Sequence, residues 1–316
     1  MKIQSLLTLA VTSALITSGS AAITMDYVNV GNAGNAADTA DGDSGTVGSQ
    51  YYGAVAYAYQ IGKYEVTNTQ YADFLNAADP SGANANGIYN ISMGSNSLGG
   101  ITYTAGSGSG AKYTLRTNMG DKPVNYVSWY DAARFANWMM NGQGAGSTET
   151  GAYTLSGNTG IITKNVGASV YLPSEDEWYK AAYYKAANTS YSLYPNGQST
   201  ITTADANYSS SALTNVGIYV GSSYGTRDQG GNVWEWNDAV ISGSSRGLRG
   251  GSFGGNEVAL RASNRNFGVP ADENNVVGFR VASSSIAAVP EPSGLLTTAA
   301  LVASSLLLRR RSKNSL

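Results

Sequence analysis

In this chain of 316 residues, helix-start signals are few, and long glycine-, serine- and asparagine-rich stretches separate them. Thr67 or Asn68 can cap a helix that puts Tyr71, Phe74 and Leu75 on one face. Ser128 followed by Asp131 is an approximate capping box, with Ala132, Phe135, Ala136 and Met139 lining the face behind it. Ser174 with Glu177 is a full S-x-x-E box after Pro173, and Trp178, Ala181 and Ala182 follow at helical spacing. Glu175 and Asp176 suit the same helix start through the dipole. Residues 54–61 alternate like a strand, residues 29–50 read as loop, and residues 81–110 read as an irregular insertion. Beyond Gly217 only short strands and turns are indicated, around residues 233–236, 248–253 and 277–281. Few helices, many short strands and long loops predict an irregular α+β domain.

Composition excludes whole classes of chemistry. The sequence has no cysteine and no histidine. Disulfides, thiolate nucleophiles and thiolate metal sites are therefore impossible, as are an imidazole base and histidine-held zinc, copper or iron. No copper, zinc, haem or nucleotide is expected, and any metal must take oxygen ligands. The net charge of -2 leaves no electrostatic footprint for nucleic acid. Charged residues make up 13%, against roughly 25% in ordinary soluble domains. With 39 glycines and 22 tyrosines, the balance suits a loop-rich extracellular fold.

Both ends read as addresses. Lys2, an apolar run and the small residues before Ala22 form a secretory signal over residues 1–22, the substrate of a signal peptidase; a buried helix is the alternative. A lead-in rich in Gly, Asn and Asp spans 23–50, the main domain 51–285, and a tail 286–316. The tail carries Pro290, Glu291 and Pro292, then an apolar segment, then Arg309, Arg310 and Arg311. That order resembles the PEP-CTERM sorting signal of bacterial surface proteins. The resemblance implies transient inner-membrane anchoring and an exosortase-type protease as partner, with delivery to the outer envelope, cell surface or extracellular matrix. A simple C-terminal anchor is the alternative and also leaves the domain outside.

Six ordered blocks lie between the ends: IGKYEVTN at 61–68 with Tyr71 and Phe74, PVNYVSW at 123–129, YLPSEDEW at 171–178, GGNVWEW at 230–236, RGGSF at 249–253 and GFRV at 278–281. Together they resemble the formylglycine-generating enzyme, or sulfatase-modifying factor, family. The resemblance implies an irregular C-type-lectin-like fold. Each block also has a plain structural reading. Trp129, Trp178, Trp234 and Trp236 can anchor a core poor in helices, and Gly250 and Gly251 permit a tight turn.

The family's oxidase holds copper(I) between two cysteines just after the RGGSF block. Those positions fall here at about Gly255 and Leu260, neither of which can bind copper. Related sulfoxide synthases use histidine-bound iron, which this composition also forbids. The family further carries structural calcium. One site matches Asp228, Gly231, Val233 and Glu235, with carbonyls of alternate residues in an extended segment expected to face one cation beside the two carboxylates. The alternative is a hydrogen-bonded Glu235 in a strand. Asn207 stands where a second site begins. Asp38, Asp41 and Asp43 read as a solvated turn.

Arg261, Asn264 and Arg265 match a segment of non-catalytic relatives and could line the remnant of a substrate groove. Internal ion pairs to Asp272, Glu273 or Glu257 are the competing reading. The whole implies an exported, non-catalytic surface module that binds polysaccharide or a protein partner. A metal-dependent oxidoreductase of formylglycine-generating type and a purely structural matrix protein are the alternatives.

Overall fold

A computed structural model describes residues 22–40, 51–155 and 161–284. The expected secretory signal up to residue 21, Asp41 and Asp43, and the tail with Pro290, Glu291, Pro292, Arg309, Arg310 and Arg311 lie outside the described residues. Among the described residues, no helix is long and apolar enough to cross a membrane.

The chain opens with strands β1 (Tyr27–Val30) and β2 (Tyr59–Gly62), then helix α1 (Asn68–Ala78) and the single turn α2 (Ser92–Ser95). A hairpin of β3 (Ile101–Tyr103) and β4 (Tyr113–Leu115) precedes α3 (Trp129–Met140). Next come β5 (Val170–Tyr171), α4 (Glu175–Tyr183) and the pair β6 (Tyr184–Lys185) and β7 (Ser190–Tyr191). The last third holds β8 (Trp234–Val240), β9 (Arg246–Arg249), β10 (Asn266–Gly268), β11 (Val277–Phe279) and β12 (Ala282–Ser284). The result is the expected α+β fold with short elements.

All three longer helices begin where their caps predict. Thr67 rather than Asn68 is the first N-cap, and Gln70 closes its box. Ser128 with Asp131 and Ser174 with Glu177 form the other two. Each box satisfies amide donors that a helix start leaves unpaired. Tyr71, Phe74 and Leu75 are buried as read, and Phe74 meets Phe135 of α3 at a ring-centroid distance of 5.4 Å. Phe279 of β11 joins Phe135, also at 5.4 Å. Edge-to-face pairs of this kind add about 0.5–1.5 kcal/mol each beyond the burial of their area.

Two four-stranded sheets carry the rest, in the orders β1-β2-β12-β5 and β10-β9-β8-β11. β8 and β11 pair in parallel, and the other neighbours are antiparallel. Three expectations are corrected here. The lead-in is not all loop: β1 hydrogen-bonds β2 through four residue pairs, so part of residues 23–50 belongs to the domain. The alternating stretch 54–61 is a strand only from Tyr59, because only those residues find partners in β1 and β12. Asp38 is also not solvated. It is buried and accepts from Tyr179 Oη at 2.8 Å.

The carboxyl of Asp131 is buried and takes bonds from Ser128 N at 2.9 Å and Ser128 Oγ at 2.6 Å. Burial pushes its pKa up to about 7; the Ser128 bonds oppose the shift and nearby Glu273 adds to it. A raised acid favours the fold while it is protonated. Its contribution is complete below its ordinary 3.8 and is lost as pH rises through about 7. The Asp131→Asn variant should therefore show a flatter stability profile between pH 4 and 7 than the native chain, read from urea midpoints across that range.

Candidate functional site

Residues from four of the six blocks meet in one buried cluster. Arg280 follows β11 and is fully buried. Its guanidinium donates through Nε to Glu235 Oε2 at 2.6 Å and through Nη2 to Glu235 Oε1 at 2.7 Å. It also donates to the carbonyls of Gly62 at 2.9 Å and Arg227 at 2.9 Å. Trp178 Nε1 adds a bond to Glu235 Oε2 at 2.7 Å. Glu235 is thus a hydrogen-bonded carboxylate inside β8, with both oxygens engaged.

Two further acids stand near this guanidinium. Glu65 is buried and accepts from Asn232 Nδ2 at 3.0 Å and Val233 N at 3.3 Å. Burial, then the charges of Asp228 and Glu235, push its pKa well above the usual carboxylate range, while Arg280 and Asn232 pull it back. Asp228 is buried, accepts from Gly217 N at 2.5 Å through Oδ2, and leaves Oδ1 without a partner. Its pKa is raised to about 6, chiefly by burial. Three carboxylates therefore share one guanidinium. Glu65 lies inside the 61–68 block, and its being the one acid of that block is the only local signal of its role.

The four residues matched to a calcium site behave unequally. The segment is not extended as expected. Asp228, Gly231 and Asn232 all lie at positive φ, at 59°, 84° and 57°, so the chain turns tightly before β8 begins at Trp234. The extended backbone that would aim the carbonyls of Gly231 and Val233 the same way is absent between them. Asn207 is brought beside it: the Asn207 carbonyl accepts from Asn232 N at 2.9 Å, and a side chain at Gly231 would run into that carbonyl. Among the described residues, no group of three or more acidic side chains gathers as a metal cage. The partnerless Asp228 Oδ1 and the excess of buried acid are what a hard cation would answer.

At Gly255 and Leu260, the positions expected to correspond to cysteines, packing organises the space. Leu260 is fully buried and packs with Tyr194 and Ala206. A Cβ at Gly251 would lie 2.7 Å from Leu260 Cδ1, and one at Gly230 would lie 3.4 Å from Cδ2. The leucine therefore fills the room that those glycines leave. A Cβ at Gly255 would meet only ordinary contacts, the nearest at 3.4 Å.

The arginine segment is engaged internally, though not with the acids anticipated. Arg265 pairs with Glu175, Nη2 to Oε2 at 2.5 Å, rather than with Asp272, Glu273 or Glu257. Arg249 shares the same carboxylate at 2.7 Å and donates to the carbonyls of Ala262 and Asn264 at 2.8 Å each. Arg261 Nε donates to Tyr194 Oη at 3.0 Å. Sequence distance hides the Glu175 partner, which lies ninety residues away from Arg265.

Comparison with known proteins accords with this layout. Residues 25–285 match the family profile described as Sulfatase-modifying factor enzyme 1-like domain. The chain is 27% identical to hercynine oxygenase of Mycobacterium tuberculosis, over 71% of this chain and 52% of that protein. It thus spans about half the length of that curated relative. Among solved structures, CarF is similar with a TM-score of 0.55 and 23% identity, covering 83% of this chain and 98% of CarF. Treponema denticola variable protein 1 is similar with a TM-score of 0.50 and 22% identity, covering 84% and 96%. Both structural likenesses speak to the fold alone.

Replacing Glu235 by Gln removes the charge facing Arg280 while keeping the volume. Breaking a fully buried ion pair from one side costs about 3–5 kcal/mol. Equilibrium urea unfolding of Glu235→Gln should show a loss of that size.

Proposed function

The chain belongs to the sulfatase-modifying factor enzyme 1-like domain family, and we propose that this member is an exported, non-catalytic one that binds polysaccharide. One observation carries the reading. The two positions that resemble the family's thiolates are Gly255 and a buried Leu260, in a sequence with no cysteine or histidine anywhere. Copper(I) and histidine-bound iron require soft or imidazole donors, and carboxylates, amides and hydroxyls do not replace them. Packing supports the same reading, since Leu260 occupies the space beside Gly230 and Gly251. The engaged arginines support a scaffold role for their segment. Export to the outer envelope or extracellular matrix rests on the signal-like start and the tail that resembles a sorting signal.

Calcium is proposed in a structural role. Asp228 Oδ1, buried and without a partner, would be its anchoring ligand, a hard oxygen of the kind that suits this ion. Its charge would offset the crowded acids Glu65, Asp228 and Glu235.

The hercynine oxygenase relative favours a second reading, a metal-dependent oxidoreductase on the same fold. A direct assay separates the two. The purified chain, given copper and a sulfatase-type peptide, should leave the peptide unmodified by mass spectrometry; aldehyde formation would sink the non-catalytic reading. Melting should respond to calcium. At calcium about 100-fold above its Kd, the native chain should gain roughly 5 °C over the chelated protein. The Asp228→Ala variant should gain nothing, and a native chain indifferent to chelation would remove the calcium site.

A further inference from the structure

The segment between α1 and β4, which carries none of the six family blocks, builds a cavity of 460 Å³. That volume falls within the range of about 300–1,000 Å³ usual for small-molecule sites. Its walls are the rings of Tyr89, Tyr103 and Tyr113, with centroids 5.1 to 6.1 Å apart. Of the lining residues, Tyr113 is buried, and Tyr103 and Ile91 are exposed.

The rings are held in place by bonds made away from their faces. Tyr113 Oη donates to Asp79 Oδ2 at 2.5 Å. Tyr89 Oη donates to the Ile101 carbonyl and accepts from Tyr103 N, each at 3.2 Å. The Asn84 side chain is fixed on the Tyr89 backbone: its Nδ2 donates to the Tyr89 carbonyl at 2.8 Å and its Oδ1 accepts from Tyr89 N at 3.0 Å. Tyr103 closes over Gly82, where a Cβ would come within 2.5 Å of its ring at a φ of +73°. Only glycine leaves that ring its place. The site is therefore preorganised, which lowers the ordering cost of binding.

Among the described residues, no charged side chain lines the cavity. An ionic ligand would lose hydration here with no counter-charge in return. The aromatic rings offer an apolar platform, and Asn84, Ser95 and Thr102 are the polar residues of the lining. A neutral pyranose has the matching character: one face of C–H groups, and an edge of hydroxyls. We propose that this cavity binds a neutral sugar ring of a polysaccharide, with Tyr103 as the stacking platform. The proposal rests on the polysaccharide-binding reading above and gives it a place and a ligand class.

The test uses the full chain, with cellohexaose and maltohexaose as neutral probes and a galacturonate hexamer as the charged one, followed by calorimetry. At least one neutral hexamer should bind, and the charged one should bind more weakly or not at all. Tyr103→Ala should weaken neutral binding about tenfold, the effect of losing one stacking ring. Its melting temperature should fall only slightly, because this ring is the most exposed of the three, and its far-ultraviolet circular dichroism should remain native. Phe267→Ala, another exposed aromatic on β10, should bind as the native chain does. Native-strength binding by Tyr103→Ala would overturn the placement while leaving the polysaccharide reading standing. Preference for galacturonate would overturn the ligand class. A native chain that binds none of the three would overturn the site and the polysaccharide reading together.

Discussion

The Arg280–Glu235 pair is the contact on which the two sheets depend. Arg280 lies between β11 and β12, where the chain leaves one sheet for the other. Its guanidinium reaches Glu235 in β8 and the Gly62 carbonyl at the end of β2. One planar group therefore ties an inner strand of each sheet, and Trp178 brings α4 onto the same carboxylate. The fork of donors on an arginine meets several acceptors at fixed angles, which a lysine cannot do. A buried pair of this kind adds little net stability over an apolar substitute of equal volume. It does specify which segments meet, and that matters in a fold with short strands and few long helices.

The local part of this design was legible in the sequence. Helix starts at Thr67, Ser128 and Ser174 depend on residues three apart, so the caps could be read directly. The tryptophan anchors followed from size and apolarity: Trp129, Trp178 and Trp236 are buried, while Trp234 is partly covered. The six ordered blocks gave the fold, because their order records how distant segments come together.

What stayed hidden depends on contacts between remote parts of the chain. β1 sits in a Gly- and Asn-rich stretch and becomes a strand only because β2 offers it a partner. Arg265 has acids nearer in sequence, yet the fold delivers Glu175 to it. The turn at 228–232 uses left-handed Asp228 and Asn232, residue types that tolerate that region, in a segment expected to be extended. The tyrosine-walled cavity was equally invisible, since its rings come from residues 89, 103 and 113 and meet only when β3 and β4 form their hairpin.

The place of β12 has a mechanical consequence. It lies between β2 and β5 and is hydrogen-bonded on both flanks. Sheet hydrogen bonds stand across the strand direction. Tension drawn along β12 from its C-terminal end is therefore resisted by both ladders at once, as a bar seated between two rails resists being slid out. The inner strand is better suited to bear load than β1, which grips the sheet on one side.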